Sequence, residues 1–211
     1  MIPREIEMIV VVEGPSAAGK TTWAETHAHG ILVPEATRAI TPTEGGEAAR
    51  SWAMSGAERW SDACRIEREA GIAVCDTDPL KLHYAWCLWQ IHATDMNPFL
   101  RQASAYREQM AGGRIGFADV VLLEIPDRAT LDQRKEADST RTRRNFDRHV
   151  RMAGPLRAWY ALLDKIRPGS VHWGLPDNVD RIVSEVAVVD RYDLRSFDAL
   201  VAEAQATPPL I

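Results

Sequence analysis

One segment near the start of the chain has the residue types and spacing of a phosphate-binding loop. Gly14–Thr21 fills the pattern G-x-x-x-x-G-K-[ST], between an apolar run and a helical segment. The glycines let backbone N–H groups turn toward phosphate oxygens, and the N-terminus of the helix adds a positive potential. We expect Lys20 to reach the β- and γ-phosphates and the Thr21 hydroxyl to bind Mg²⁺. The segment therefore predicts binding of a nucleoside triphosphate, expected to be ATP, with Mg²⁺.

A wider set of residues is expected to surround the nucleotide. It comprises Gly14, Pro15, Ser16, Ala17, Ala18, Gly19, Lys20, Thr21 and Thr22 of the loop, together with Arg134 farther along the chain.

Acidic residues follow two later apolar runs, where parallel strands of an open α/β sheet bind ligands at their carboxyl ends. Asp76 and Asp78 follow the apolar run 71–75, and Glu35 follows the run 31–34. Phosphoryl transfer with Mg²⁺ needs one carboxylate near the metal, for which we predict Asp76. It also needs a group that can accept the proton of an attacking hydroxyl. All three carboxylates stay open for that second role.

Asp78 also has a purely structural interpretation. It stands directly before Pro79, and an aspartate followed by a proline is a common start of a helix. The same carboxylate can serve as a cap and as a catalytic group, so both interpretations are kept.

A basic run between residues 128 and 151 stands out in an otherwise acidic chain. It contains Arg128, Arg134, Lys135, Arg141, Arg143, Arg144, Arg148 and Arg151. One interpretation is a solvated helix face whose charges pair with nearby acidic residues. We favour a mobile lid whose guanidinium groups cover the phosphates and stabilise the transition state. In this lid, Arg141 and Arg144 are the predicted catalytic residues.

The segment 80–100 is dense in aromatic residues and histidines. Tyr84, Trp86 and Trp89 do not form a simple stripe on a helix. One face is therefore expected to pack in the core, and another to line a cavity for a planar or sugar-bearing molecule. A wholly packed helix is the equally weighted alternative.

The bulk composition excludes several classes of protein. A chain of 211 residues with a formal charge of −5 suits one globular domain, here taken as 1–211, with a C-terminal helix and tail from about residue 187. The net acidity disfavours a general nucleic-acid binder. The sequence contains three cysteines and no C-x-x-C pair. With no signal-peptide pattern and no apolar stretch of membrane-spanning length, we expect a cytoplasmic protein.

Five apolar runs with helical connections, the first followed by the phosphate loop, predict an α/β fold with a parallel sheet. Over residues 6–151, the loop 13–22, the segment 33–38 and the acidic tip 75–79 together resemble the P-loop kinase superfamily. The likeness is strongest to nicotinamide riboside kinase domains and deoxynucleoside kinases. The resemblance implies the strand order 2-3-1-4-5 and ATP-dependent phosphorylation of a small-molecule hydroxyl. It also implies Glu35 as general base, with Asp76 or Asp78 serving the metal or the acceptor.

The leading functional prediction is a small-molecule kinase whose acceptor is a nucleoside, a nucleoside-like natural product or antibiotic, or another sugar alcohol. A nucleoside-monophosphate kinase is less favoured, because only Arg38 is an obvious second phosphate ligand near strands two and three. The alternative from another class is an ATP-binding regulatory NTPase that acts through a protein partner. A nucleic-acid end kinase is a third reading of the motifs, which the net acidity disfavours.

Overall fold

A five-stranded parallel sheet forms the centre of the structure, a computed structural model that describes residues 7–35, 45–138, 145–177 and 190–209. The strands are β1 (Met8–Glu13), β2 (Leu32–Val33), β3 (Ile72–Asp76), β4 (Val120–Leu123) and β5 (Val171–Trp173). Their order is β2-β3-β1-β4-β5, and every adjacent pair is parallel. The predicted α/β class and strand order are confirmed.

Eight helices accompany the sheet in the described part of the chain. They are α1 (Lys20–His27), α2 (Gly45–Ala70), α3 (Leu82–Gln90), α4 (Asn97–Ala111), α5 (Arg128–Ala137), α6 (Phe146–Arg151), α7 (Ala153–Ile166) and α8 (Leu194–Ala206). None of these helices combines the length and apolar character needed to cross a bilayer.

The central strand is buried on both faces, because helices cover the sheet from both sides. Successive side chains of a strand point to opposite faces. Ile9 and Val11 accordingly pack with buried residues of α2, α3, α4, α7 and α8. Val10 and Val12 pack on the other face with Trp23 of α1. This double covering explains why β1 reads as a continuous apolar run rather than an alternating one.

The aromatic segment 80–100 contains one helix and the beginning of another. α3 ends at Gln90, and α4 begins at Asn97 with Pro98 in its first turn. Proline suits that position because its missing N–H has no helical partner there. β4 is also shorter than the apolar run 118–126 suggests, since pairing with β1 stops at Leu123.

Candidate active site

The loop between β1 and α1 is shaped by two glycines. A Cβ atom at Gly14 would lie 2.2 Å from the main-chain oxygen of Glu124, so only glycine allows this close approach. Gly19 has a φ of 96° and precedes α1, in the left-handed region that glycine adopts at little cost. The Lys20 ammonium donates hydrogen bonds to the carbonyls of Gly14, at 2.7 Å, and Pro15, at 3.2 Å. The predicted strand, loop and helix are therefore all present.

Thr21 and Asp76 come together at the base of this loop, although they are far apart in sequence. The Thr21 hydroxyl donates to Oδ2 of Asp76 at 2.8 Å, while Oδ1 is buried and has no hydrogen-bond partner in the described structure. Burial raises the pKa of Asp76, and the bond from Thr21 opposes that effect.

This oxygen pair suits Mg²⁺, which takes oxygen ligands and uses one or two carboxylates together with phosphates and waters. Among the described residues, no group of three or more His, Cys, Asp or Glu could hold a metal ion.

Glu35 lies at the end of the β2 segment and faces the same cleft. Its half-exposed carboxylate forms an ion pair with the Lys81 ammonium. Partial burial raises the pKa of Glu35, but Lys81 outweighs that effect and leaves the pKa below its ordinary value. Glu35 is therefore ionised at neutral pH.

Asp78 occupies a different environment from Asp76. Its Oδ1 accepts a hydrogen bond from the Leu80 N–H at 2.9 Å, and its Oδ2 accepts one from the Tyr160 hydroxyl at 3.2 Å. The side chain is buried outside the set of residues that line the cleft. Burial and the nearby Glu13 carboxylate raise the pKa of Asp78 to about 7. α3 begins at Leu82, after Lys81, so Asp78 is not the cap of a helix starting at Pro79; its bond to the Leu80 N–H stabilises the turn before α3, and its catalytic role stays a prediction.

The conformation of Thr77 explains why the two aspartates diverge. In an extended strand, residues two apart point to the same face. Thr77 has a φ of 68°, in the left-handed region, so the chain turns between Asp76 and Asp78. Asp76 is directed toward the phosphate loop, and Asp78 is directed toward α7.

A buried polar group behind the loop was missed by the sequence analysis. Glu13 accepts hydrogen bonds from the N–H groups of Gly14, at 2.9 Å, and Asp78, at 3.1 Å. One of its oxygens lies 3.5 Å from Nε2 of His83, whose Nδ1 lies 3.4 Å from the Tyr160 hydroxyl. Burial lowers the pKa of His83 to about 4, so the imidazole is neutral near pH 7. The only sequence signal was an acidic residue at the end of a buried strand.

A cleft of about 390 Å³ extends from the phosphate loop past Asp76 to Glu35 and Lys81. Its far wall carries the rings of Tyr84 and His149, whose centroids are 6.0 Å apart, and the apolar side chains Met152 and Leu156. A second recess of about 670 Å³ opens on the other side of the loop. That recess is lined by Trp23, His27, Glu124, Arg134 and Leu175.

The aromatic segment contributes to both the cleft and the core. Tyr84 lines the cleft, as one interpretation of the sequence predicted. Trp86 is fully buried and donates from its indole to the Ala204 carbonyl at 2.9 Å. The two interpretations therefore hold for different residues of one helix.

The described arginines of the basic run have mixed surroundings. Arg134 donates to the Ala18 carbonyl at 2.6 Å and so contacts the phosphate loop, and its nucleotide-binding role stays a prediction. Arg128 instead pairs with Asp132 and Asp147 on the surface, which is the solvated-face arrangement. The predicted catalytic residues Arg141 and Arg144 lie outside the described residues.

Comparison with known proteins supports the fold. No protein-family model matches the sequence, and no curated protein matches it. Among solved structures, the chain is similar to the crystal structure of NadR protein in complex with NR, with a TM-score of 0.50 and 18% sequence identity. The match covers 99% of this chain and 54% of the NadR chain, so this chain spans about half the length of that protein. The likeness supports the five-stranded parallel α/β fold described above.

Proposed function

We propose that this protein is a kinase that transfers the γ-phosphoryl group of ATP to a hydroxyl of a small molecule. The observation that carries the proposal is the continuity of one cleft. The cleft joins the phosphate loop and the Thr21–Asp76 pair to a recess lined by Glu35, Lys81 and Tyr84. A donor and an acceptor can thereby lie end to end in one cavity, as in-line transfer requires.

The donor end of the cleft is the phosphate loop. Its N–H groups and Lys20 would bind the phosphates, and Thr21 and Asp76 would hold Mg²⁺. A Mg²⁺ ion held there would supply positive charge next to the phosphate oxygens. Arg134, fixed against Ala18, lies in the recess on the opposite side of the loop, where we place the nucleoside part of ATP.

The acceptor end is the wall that contains Glu35. We assign Glu35 as the group that orients the acceptor hydroxyl and takes its proton, since Glu35 is ionised and lines the cleft. The acceptor oxygen forms a bond to the γ-phosphorus, the bond to the bridging oxygen breaks, and ADP leaves. Because the transition state is loose, a carboxylate of low basicity such as Glu35 is adequate. Asp78 supports the turn beside the site in this assignment.

The acceptor class is proposed from the wall chemistry and from the NadR likeness. The rings of Tyr84 and His149 suit a planar group, and Glu35 and Lys81 suit hydroxyls. NadR, the protein of the similar structure, was crystallised in complex with NR. We therefore propose a nucleoside-like acceptor, with nucleoside antibiotics and related natural products included.

The test is ATP consumption with Mg²⁺ against nucleosides, nucleoside antibiotics, aminoglycosides and vitamin ribosides. Product masses are measured for an added phosphate. We expect at least one ribose-bearing compound to gain a phosphate and to raise ATP turnover well above the blank. ATP binding with no phosphorylated product on the whole panel would contradict the kinase and favour a regulatory NTPase.

A further inference from the structure

A buried arginine connects the two strand ends that carry the carboxylates of the cleft. Arg59 lies on α2 and is only 8% exposed. Its guanidinium donates to the carbonyls of Pro34 at 3.2 Å, Asp76 at 2.6 Å and Thr77 at 3.0 Å. It also donates to the Thr77 hydroxyl at 3.4 Å. One side chain thus binds the ends of β2 and β3 together.

The acceptors of Arg59 are neutral, which distinguishes it from an ordinary buried ion pair. Removing a guanidinium from water costs several kcal/mol, and the cost is offset only by well-formed hydrogen bonds. An arginine fits this task because its planar fork presents five N–H donors in fixed directions. A lysine has one ammonium on a flexible stem and cannot reproduce the fork.

The carbonyls that Arg59 binds belong to the backbone that orients the carboxylates of the site. Pro34 directly precedes Glu35, and Asp76 is the residue beside Thr21. Thr77 is held in its left-handed conformation, which is strained for a non-glycine residue. The Thr77 N–H is fixed by the Val12 carbonyl at 3.0 Å, and Arg59 fixes its carbonyl and hydroxyl.

We propose that Arg59 is a positioning residue that holds the Asp76 carboxylate against Thr21 and sets its separation from Glu35. The role rests on the proposed function, because it assigns Asp76 to Mg²⁺ and Glu35 to the acceptor. Arg59 is absent from the residues lining the described cleft and acts through the backbone of its partners.

The experiment measures ATP affinity by calorimetry, once with Mg²⁺ and once with a chelator, in the wild type and in Arg59→Met. Substituting a group that orients a metal ligand typically lowers metal affinity or activity by about 10- to 100-fold. We expect the affinity gain on adding Mg²⁺ to fall at least about tenfold in the variant, in that range. Affinity with the chelator should stay within about twofold, because the loop and Lys20 are untouched.

Turnover gives a second readout, with two further variants. The kcat of Arg59→Met should fall more than its acceptor KM rises, and Arg59→Lys should recover only part of the loss. Arg167→Met is the matched control, since Arg167 is also buried and donates to a main-chain carbonyl, that of Asp190 at 2.9 Å. It removes a similar side chain away from the cleft and should leave the Mg²⁺-linked gain unchanged.

The outcomes separate this inference from the proposed function. The positioning role alone would be overturned if the wild type binds ATP more tightly with Mg²⁺ and Arg59→Met keeps both the same affinity gain on adding Mg²⁺ and the same kcat. A wild type without ATP binding would overturn the proposed function and this role with it. If Arg59→Met fails to fold, Arg59→Lys decides, and a Lys variant with wild-type Mg²⁺ linkage and kcat counts against the role.

Discussion

Replacing the buried imidazole of His83 by glutamine should change how the stability of the protein depends on pH. His83 is 3% exposed and lies between the Glu13 carboxylate and the Tyr160 hydroxyl. Lys81, Lys20 and Glu35 also act on its charge. Burial dominates and lowers its pKa in the folded protein to about 4, from an ordinary value of 6.5. Between about pH 4 and pH 6.5, this histidine is therefore protonated in the unfolded chain and neutral in the folded protein.

The sign of the effect follows from this depressed pKa. The contribution of His83 to stability is complete above pH 6.5, and it is lost as the pH falls toward 4. One pKa unit corresponds to about 1.4 kcal/mol, so the loss between pH 7.5 and pH 4.5 is about 2–3 kcal/mol. Glutamine does not titrate, so the variant lacks this pH-dependent loss of stability. The substitution also changes packing and hydrogen bonding, and that cost is the same at every pH.

Asp78 contributes in the opposite direction over the same range. Its pKa is raised from 3.8 to about 7, so its destabilising ionisation disappears as the pH falls. The wild-type profile alone would therefore show two opposing effects. The difference between the wild type and His83→Gln removes the part of the Asp78 effect that is common to both proteins.

The assay is urea unfolding, followed by tryptophan fluorescence at pH 7.5, 6.5, 5.5 and 4.5. The free energy of unfolding of the wild type relative to His83→Gln should fall by about 2–3 kcal/mol across this range. His172→Gln, which makes the same substitution at an exposed histidine on β5, is the control. A constant difference for His83→Gln would refute the reasoning.

Further predictions concern packing and catalysis. A Cβ atom at Gly56 would lie 2.5 Å from a main-chain oxygen of the turn after β3, so Gly56→Ala should destabilise the protein by about 1–3 kcal/mol in urea unfolding. Gly46 lies in the first turn of the same helix, where a Cβ atom would meet only the Arg50 guanidinium, at 3.7 Å. Gly46→Ala should therefore stabilise the protein by about 0.5 kcal/mol. Equal effects at both sites would contradict the close contact at Gly56. Lys20→Ala should lower kcat by more than about 100-fold while the circular dichroism spectrum stays unchanged, and near-normal turnover would exclude the phosphate-loop role. Glu35→Gln should lower kcat by about 100-fold or more while Asp78→Asn stays within about tenfold, and the reverse ranking would assign the proton acceptor to Asp78.

The features of this protein that depend on neighbouring residues could be predicted from its sequence. The strand, loop and helix around Gly14–Thr21 follow from local spacing, since the glycines and the apolar run are adjacent in the chain. The five apolar runs predicted the parallel sheet, and the kinase likeness supplied its strand order. The sequence analysis assigned both Thr21 and Asp76 to Mg²⁺, and their contact is consistent with the ends of parallel strands meeting at one edge of the sheet.

Tertiary structure alone decided which distant groups meet behind that edge. A period-two pattern puts Asp76 and Asp78 on one face, but the left-handed turn at Thr77, held by Arg59 from α2, separates them. The meeting of Glu13 with His83 depends on how α3 packs against the end of β1, which leaves no local pattern. Local backbone geometry is encoded by residues a few positions apart, whereas these contacts are fixed only when helices dock on the sheet.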